Sequence, residues 1–283
     1  MSATDRISIA IKTILICTVF ISACSKNEAI TVAGSTTVLP VATRTAERFR
    51  LSHPGIHIII NAGGSGVGIN QLGTGKIDIG MASRHITDTE IRKYPKVHFV
   101  THAIGRDAVV PVVSSEVYNA GVTALTLAQI GEIYKGEISN WKSVGGPDKE
   151  ILAVDKEKSR GTRHVFMQAV LGDEEAAAPG ADLVLGSNNE EQTAIAQSDA
   201  AIGMLSNAWM NDDVKGLAII MPDGAVIEPT LTTITDGAFP ITRDLLLITN
   251  GPAQGTSKAF IDFILSREGQ KIVAESDYVP VNR

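Results

Sequence analysis

The 283-residue sequence has few cysteines, few aromatic residues and no surplus of positive charge. Its two cysteines, Cys17 and Cys24, lie in the first 24 residues, so the remainder has no pair for a disulfide and must be stabilised by its core. Lys and Arg number 25 against 31 Asp and Glu, and the net charge of −6 has the wrong sign for a nucleic-acid-binding surface. Any anion that this protein binds must therefore be held by local geometry and not by overall charge.

The sequence also lacks a hydrophobic run of the roughly 20 residues that a membrane span requires. Its longest apolar run, residues 13–21, follows two basic residues and ends at Ser22-Ala23-Cys24. This pattern is typical of a secretory signal peptide, and the small residues before the cysteine resemble the lipobox of bacterial lipoproteins. We therefore expect residues 1–24 to be a lipoprotein signal peptide, and the protein to be exported and held at the periplasmic or cell-surface side of a membrane by a lipidated Cys24. The alternative is a plain secretory signal in which Cys24 stays unmodified.

After residue 28, short β-rich segments alternate with amphipathic helical patterns. Residues 56–60 and 244–249 are typical of strands, whereas apolar residues three and four apart predict a helix over residues 127–134. The apolar positions between Phe260 and Ile272 predict a single C-terminal helix. Such alternation is typical of βαβ units with a mostly parallel sheet, and about 250 residues of it fit two lobes better than one core.

Three segments share one design, in which a strand is followed by a Gly/Ser/Thr loop and the start of a helix. They are residues 33–37 (AGSTT), 63–68 (GGSGVG) and 158–163 (KSRGTR). Hydroxyl groups and unpaired amides at a helix N-terminus favour an anion. Each loop alone is explained by ordinary helix capping, since Ser and Thr are common N-caps. Three such loops together favour a shared site for an oxyanion.

The patterns of common enzymatic sites are incomplete in this chain. A nucleophile elbow would need glycine where Val67 stands, and a P-loop fails because Asn70 and Ile77 occupy its first glycine and its Ser/Thr position. The six histidines form no HExxH motif. We therefore expect no catalytic residue, no metal and no cofactor, although a phosphoester hydrolase working in the same cleft stays open as an alternative.

Seven stretches carry a resemblance to a known family. In chain order they are GSTTVLP, GGSGVG, DIGMASR, LTLAQIGEIYKGEISNW, RGTR, AAIGML and FPITRDLLLIT. From about residue 30 to residue 280 the chain resembles phosphate ABC transporter substrate-binding proteins, and residues 125–141 are the most specific part. The resemblance implies an α/β, two-lobed type II periplasmic binding protein fold, in which each lobe is a mostly parallel sheet flanked by helices. It implies that residues 25–109 and 237–283 form lobe 1 and residues 110–236 form lobe 2.

The resemblance also implies a function. Such a protein captures inorganic phosphate in the cleft between its lobes and delivers it, as a monomer, to an ATP-driven permease complex in the cytoplasmic membrane. The implied phosphate-binding residues are Ser35, Thr36, Thr37, Ser65, Ser83, Arg84, Ser159, Arg160, Gly161 and Thr162. Lys156 stands where relatives have an arginine and is a point-charge donor without a fork. We expect Arg163 to pair with a carboxylate, and Tyr134 and Trp141 to pack inside lobe 2.

One position departs from the family pattern in a way that bears on the ligand. Many relatives have Ser-Asp after the third strand, where this chain has Ser83-Arg84. A carboxylate acceptor selects hydrogen phosphate, because sulfate has no proton to donate and would face an unpaired negative charge. Arginine removes that acceptor and adds a bidentate donor. Sulfate, molybdate or tungstate therefore stays an alternative ligand, with Asp78 or a backbone carbonyl as a replacement acceptor for a phosphate proton, and a signalling or adhesion role without transport is a third possibility.

Overall fold

The computed structural model describes residues 28–281, and the predicted signal peptide and Cys24 lie outside them. The strands of the described part are β1 (Glu28–Gly34), β2 (Ile56–Ala62), β3 (Ile79–Ala82), β4 (Phe99–Ser114), β5 (Ala124–Thr126), β6 (Leu152–Lys156), β7 (Leu183–Leu185), β8 (Ala201–Ser206), β9 (Val214–Gly216), β10 (Ala218–Ile220), β11 (Val226–Ile227) and β12 (Thr242–Asn250). Its α-helices are α1 (Leu39–Ser52), α2 (Ser65–Gly73), α3 (Asp88–Lys93), α4 (Ser115–Asn119), α5 (Leu127–Lys135), α6 (Gly161–Leu171), α7 (Asn188–Ala196), α8 (Leu231–Thr235), α9 (Gly255–Leu265) and α10 (Arg267–Ala274). Within residues 28–281, every helix is too short or too polar to span a membrane.

Strand β4 divides the molecule into two lobes. The strands follow the order β2-β1-β3-β12-β4-β8-β6-β7, with β9 beside β4, and β5, β10 and β11 form a small separate sheet. Up to Ala108, β4 pairs with β12, whereas from Val109 onward it pairs with β8. The pairs β1–β2, β1–β3, β6–β7 and β6–β8 are parallel, as the strand-helix alternation predicts. The exact lobe limits stay a prediction.

The hydrophobic core of lobe 1 covers both faces of its sheet. Along β12, Leu245 and Leu247 pack into one cluster, and Leu246 and Ile248 pack into the cluster on the opposite face. A strand that is buried on both faces carries a continuous apolar run, because successive side chains point to opposite sides. The run Leu-Leu-Leu-Ile in the sequence has this cause.

Lobe 2 has a core of its own, formed by residues of the middle of the chain. Tyr134 and Trp141 are fully buried in it, as predicted. The Tyr134 hydroxyl donates to the carbonyl of Val154 at 2.9 Å, and the Trp141 indole N–H donates to the carbonyl of Ala200 at 2.9 Å. Both aromatic residues therefore serve packing and keep their polar atoms satisfied.

The prediction of a single C-terminal helix is wrong, because α9 ends at Leu265 and α10 begins at Arg267. Ser266 lies between them in extended conformation, donates its hydroxyl to the carbonyl of Phe263 and accepts from the amide of Gly269. This side chain thus ends one helix and caps the next. A Cβ at Gly269 would lie 2.2 Å from the carbonyl oxygen of Phe263, so the tight corner requires glycine.

Candidate functional site

The first loop connects β1 to α1 and is fixed by the neighbouring strand β3. Gly34 has φ +140°, and a Cβ there would lie 2.2 Å from the carbonyl oxygen of Met81, so no other residue fits. The next amide, that of Ser35, donates to the same carbonyl at 2.9 Å. The Ser35 hydroxyl accepts from the amide of Thr37 at 3.2 Å. The loop therefore holds the buried Ser35 and Thr37 in one conformation.

The second loop starts α2 and places Ser65 beside two other serines. The Ser83 amide donates to the Ser65 hydroxyl at 3.1 Å, the Ser35 hydroxyl donates to that of Ser83 at 3.0 Å, and the hydroxyls of Ser65 and Ser83 are 3.4 Å apart. All three side chains are at most 2% exposed. We call Ser35, Ser65 and Ser83 the serine trio. It is a neutral group of hydroxyls, each able to donate or accept.

The third loop starts α6 and brings lobe 2 against the serine trio. A Cβ at Gly161 would lie 2.3 Å from the Ser65 hydroxyl and 2.8 Å from the Ser83 hydroxyl. The amide of Gly66 in lobe 1 donates to the carbonyl of Ser159 in lobe 2 at 2.9 Å. Because the first amides of a helix have no partner inside the helix, the start of α6 presents free donors at this seam.

These loops surround a small cavity, in which the space open to the centre of a water-sized sphere is about 10 Å³. Six residues of lobe 1 and six of lobe 2 line it, namely Ser35, Thr36, Thr37, Gly64, Ser65, Ser83, Lys156, Arg160, Gly161, Thr162, Gly186 and Asn188. A cavity holds a water when this space reaches about 10–15 Å³, so the lobes leave room for about one water between them. Its polar lining suits a small anion, and the space has no room for an organic group unless the lobes move apart.

An ion pair on the strands that connect the lobes joins the two walls of this cavity. Arg243 of β12 and Asp107 of β4 are register partners, at most 7% exposed, and the guanidinium Nε lies 2.8 Å from a carboxylate oxygen. Arg243 also donates to the hydroxyl of Thr162 in lobe 2 at 3.1 Å and to that of Thr37 in lobe 1 at 3.3 Å. Burial raises the pKa of Asp107, and the adjacent Arg243 charge acts against this shift. Arg243 therefore positions hydroxyls from both lobes.

The two cations of the lining are also paired with carboxylates. Lys156 forms an ion pair with Glu191, and both side chains are at most 1% exposed. Burial lowers the pKa of Lys156 and raises the pKa of Glu191, and the opposite charge of each partner acts against both shifts. Arg160 donates through Nε to Glu157 at 2.9 Å. An anion in the cavity would thus meet hydroxyls, helix amides and two cations. Both of these cations are already paired with carboxylates.

Eight of the ten residues predicted to bind phosphate line the cavity, and two do not. Ser159 contributes its carbonyl to the contact with Gly66, and its side chain is outside the lining. Arg84 is 5% exposed, but its two terminal nitrogens donate to the Glu90 carboxylate at 2.7 and 2.8 Å. The terminal nitrogens of Arg84 are therefore engaged by a carboxylate, and its buried Nε has no hydrogen-bond partner within the described part of the chain.

A capping box explains why Glu90 lies in reach of Arg84. Glu90 is the third residue of α3, where its carboxylate accepts from the amide of Thr87 and its amide donates to the Thr87 hydroxyl. Burial acts to raise the pKa of Glu90, but the hydrogen bond and charge of Arg84 outweigh it and lower the pKa. Asp78 is also remote from the cavity, because its carboxylate accepts from the amide of Thr31 at 2.7 Å near the other end of β3.

Besides Gly186 of the lining, three residues at the site were not predicted from the sequence as members of it. Asn188 lines the cavity and donates to the Thr37 hydroxyl at 3.1 Å, while Arg243 and Asp107 lie behind the lining. The capping box of Ser187 and Glu190 could have predicted that a helix starts at Asn188. Arg163, by contrast, pairs with Asp155 at 3.0 Å as predicted.

Comparison with known proteins identifies relatives of this chain along most of its length. The family model described as the PBP superfamily domain matches residues 22–268. The phosphate-binding protein PstS of Bacillus subtilis (strain 168) is 32% identical over 254 residues, which are 89% of this chain and 80% of that protein. The PstS of Borreliella burgdorferi is 30% identical over 259 residues, which are 89% of this chain and 90% of that protein.

Solved structures share the overall fold. A putative phosphate ABC transporter substrate-binding protein from Clostridium perfringens, with bound phosphate, has a TM-score of 0.80 and 33% identity, and the match covers 90% of this chain and all of that one. An ABC-type phosphate transport receptor from Vibrio cholerae has a TM-score of 0.71 and 32% identity, covering 88% of this chain and 99% of that one.

The two lobes, the connecting strands and the enclosed polar cavity are those of a substrate-binding protein, and the chain belongs to the PBP superfamily. This confirms the predicted two-lobed type II periplasmic binding protein fold. Within the superfamily, the chain is a member of the family of PstS proteins, the substrate-binding components of phosphate ABC transporters.

Proposed function

We propose that this protein captures inorganic phosphate in the cavity between its lobes and delivers it to an ATP-driven permease. The observation that carries the proposal is the meeting of three loops, far apart in the sequence, around one enclosed cavity lined by donors. The relatives with solved structures, one of them with bound phosphate, support the same ligand.

The chemistry of the lining suits a compact, multiply charged anion. Hydroxyls of the serine trio, Thr37 and Thr162, the amides at the start of α6, and the paired cations Lys156 and Arg160 all face one space. A hydrogen bond to a charged group contributes about 1.5–3 kcal/mol, whereas micromolar binding requires about −8 kcal/mol in total. The many donors are needed because dehydration of the anion offsets most of the gross gain.

Capture by this route requires the lobes to separate and close. The lobes contact each other directly through the amide of Gly66 and the carbonyl of Ser159, and Gly161 abuts Ser65. An anion reaches the cavity when this seam opens, and the donors of both lobes surround it when the seam shuts, which is the hinge closure of binding proteins. The phosphate-binding residues that we propose are the eight predicted residues in the lining, together with Lys156 and Asn188. We place the lobes at residues 25–109 with 237–283, and 110–236.

We further propose that the protein is exported as a monomer and anchored by a lipid on Cys24. The support is the signal-peptide pattern and the small residues before the cysteine. Mass spectrometry of the mature N-terminus tests this anchor. A mature chain that starts with acylated Cys24 is the expected result, and an unmodified N-terminus at another residue contradicts it.

Isothermal titration of the exported domain with inorganic phosphate tests the binding function. We expect the titration to show saturable binding at one site. In a separate binding measurement with radiolabelled phosphate, we expect excess unlabelled phosphate to displace the label. Chloride at the same ionic strength is the control for non-specific anion effects. Absence of binding to phosphate would contradict the proposed function.

A further inference from the structure

This inference rests on the proposed function and concerns which anions the same site takes. We propose that the cavity accepts tetrahedral oxyanions whether or not they carry a proton, so that sulfate binds beside hydrogen phosphate. The argument depends on which hydrogen-bond acceptors face the cavity. A ligand O–H needs an acceptor, and a ligand without a proton is rejected only where that acceptor is negatively charged or unable to become a donor.

No carboxylate is found among the twelve lining residues. The acids closest to the lining are each engaged by partners behind it. Asp107 accepts from Arg243 with one oxygen and from the Ser206 hydroxyl with the other. Glu191 accepts from the Met204 amide with one oxygen and pairs with Lys156 through the other.

The remaining candidate acids are no better placed. Glu157 binds Arg160, Glu90 binds Arg84, and the Asp78 carboxylate accepts from the amide of Thr31. Glu190 lies beside the lining residue Gly186, but its carboxylate oxygen accepts from the amides of Gly186 and Ser187. The position at which many relatives carry a carboxylate holds Arg84, which is turned toward α3. In the described part of the chain, a negatively charged acceptor for a ligand proton is therefore missing from the cavity wall.

In the cavity wall, the hydroxyl of Thr37 is oriented to donate a hydrogen bond to the ligand. The Thr37 hydroxyl oxygen accepts from the Asn188 amide at 3.1 Å and from Arg243 at 3.3 Å. With both lone pairs engaged, the hydroxyl hydrogen of Thr37 is left to donate to another acceptor, and an anion in the cavity is that acceptor. On the opposite lobe, the Thr162 hydroxyl accepts one hydrogen bond, from Arg243 at 3.1 Å.

The acceptors that remain on side chains of the lining are neutral. They are the hydroxyls of Thr36 and Thr162, those of the serine trio, which already exchange hydrogen bonds with each other at 3.0 and 3.4 Å, and the amide oxygen of Asn188. A hydroxyl rotates to accept from a ligand O–H or to donate to a bare oxygen. The trio therefore satisfies hydrogen phosphate and sulfate alike, whereas a carboxylate satisfies only the former.

A site with a carboxylate acceptor and a site with neutral hydroxyls are expected to differ strongly in their selectivity for phosphate over sulfate. A site that is built around one obligatory hydrogen bond rejects the analogue that lacks it by about 10⁴-fold or more, because a buried polar group is left unpaired. A rotating neutral group leaves nothing unpaired, so we expect sulfate and phosphate to differ by less than about 100-fold in dissociation constant.

Calorimetric titration of the wild-type protein with phosphate and with sulfate, at one pH and one ionic strength, is the first test. Dissociation constants within about 100-fold support the inference. Phosphate binding with sulfate weaker by more than that overturns the inference and leaves the proposed function intact. Binding of neither anion overturns both.

Asn188→Asp is the second test, because it places a carboxylate in the lining without changing side-chain shape. Asp is favoured in the first turn of a helix, where α7 begins, so the variant is expected to fold. We expect the preference for phosphate over sulfate to rise by at least about 100-fold. Asn189→Asp makes the same charge change at the next, exposed residue and is expected to leave the ratio unchanged. An unchanged ratio in Asn188→Asp, with phosphate still bound, overturns the inference.

Discussion

The two walls of the cavity are built from different groups, although each contributes six residues. The wall from lobe 1 is neutral, with the serine trio at its centre, and its nearby cation, Arg84, is engaged by Glu90. The wall from lobe 2 carries Lys156, Arg160 and the start of α6, and each cation has its own carboxylate. An anion that reaches lobe 1 alone meets hydroxyls, whereas closure adds the charges. This difference supports the proposed coupling between closure and binding.

The largest effect is expected where the two walls are joined, at Arg243. Arg243→Ala leaves the fully buried Asp107 without its partner and releases the hydroxyls of Thr37 and Thr162. Breaking a buried ion pair costs about 3–5 kcal/mol, so we expect the free energy of unfolding in urea to fall by that amount and phosphate binding to be lost. Arg106→Ala is the control, because its ion pair with Asp244 is 3.8 Å long and half-exposed. We expect it to change stability by about 1 kcal/mol or less.

A double variant separates the two roles of Arg243. Replacing Arg243 by Met and Asp107 by Leu removes both charges, which is close to neutral for stability when shapes are similar. We expect the free energy of unfolding to recover while phosphate affinity does not, since the hydroxyls stay unpositioned. Wild-type affinity in the double variant would contradict the role of Arg243 in joining the walls.

A smaller effect is expected where the walls touch. In Gly161→Ala the new Cβ meets the Ser65 and Ser83 hydroxyls at 2.3 and 2.8 Å, so it opposes closure without disturbing either lobe. Overpacking typically costs about 1–3 kcal/mol, and we expect titration calorimetry to show phosphate affinity at least about tenfold lower. Gly55→Ala is the control, because its Cβ meets nothing within 4 Å. Equal affinity in both variants would show that this seam does not close on the ligand.

Two arginines near the cavity, one in its lining and one outside it, allow a further comparison of the two walls. Arg160 lines the cavity and Arg84 does not. We expect Arg160→Ala to weaken phosphate binding by at least about 1.5 kcal/mol, the lower value of a hydrogen bond to a charged group. Arg84→Ala should change it by less than about threefold, since residues without shared partners act almost independently. Titration of both variants checks this, and a larger loss in Arg84→Ala would return Arg84 to the ligand set.

Local signals in the sequence were sufficient for much of this arrangement. The three loops could be predicted because each combines a strand end, small residues and a helix start within a few positions. Arg163 and Asp155 lie on one strand-loop-helix unit, so their pairing was also within reach. The capping box of Thr87 and Glu90 has a local sequence pattern as well, but that pattern does not specify that the same carboxylate pairs with Arg84.

The remainder depends on contacts between distant parts of the chain. Asp107 and Arg243 are 136 positions apart and meet only because β4 and β12 pair in one register. Asn188 meets Thr37 across 151 positions and between lobes. Such partners follow from the closed tertiary structure, and no periodicity or spacing in a single sequence specifies them.

The smallest effect is expected at Glu90, whose carboxylate neutralises the charge of Arg84 beside the lobe 1 wall. Because the pKa of Glu90 in the folded protein is below its ordinary value of 4.5, Glu90 stabilises the fold above about that pH and loses this contribution as the pH falls through the lowered pKa. Glu90→Gln lacks the contribution at every pH. We therefore expect the free energies of unfolding of wild type and Glu90→Gln to differ by about 1 kcal/mol at neutral pH and to converge in acid. Urea titrations from neutral pH to below pH 4.5 measure this difference, with the exposed Glu137→Gln as control. A gap that persists unchanged in acid would mean that the carboxylate of Glu90 is not what engages Arg84.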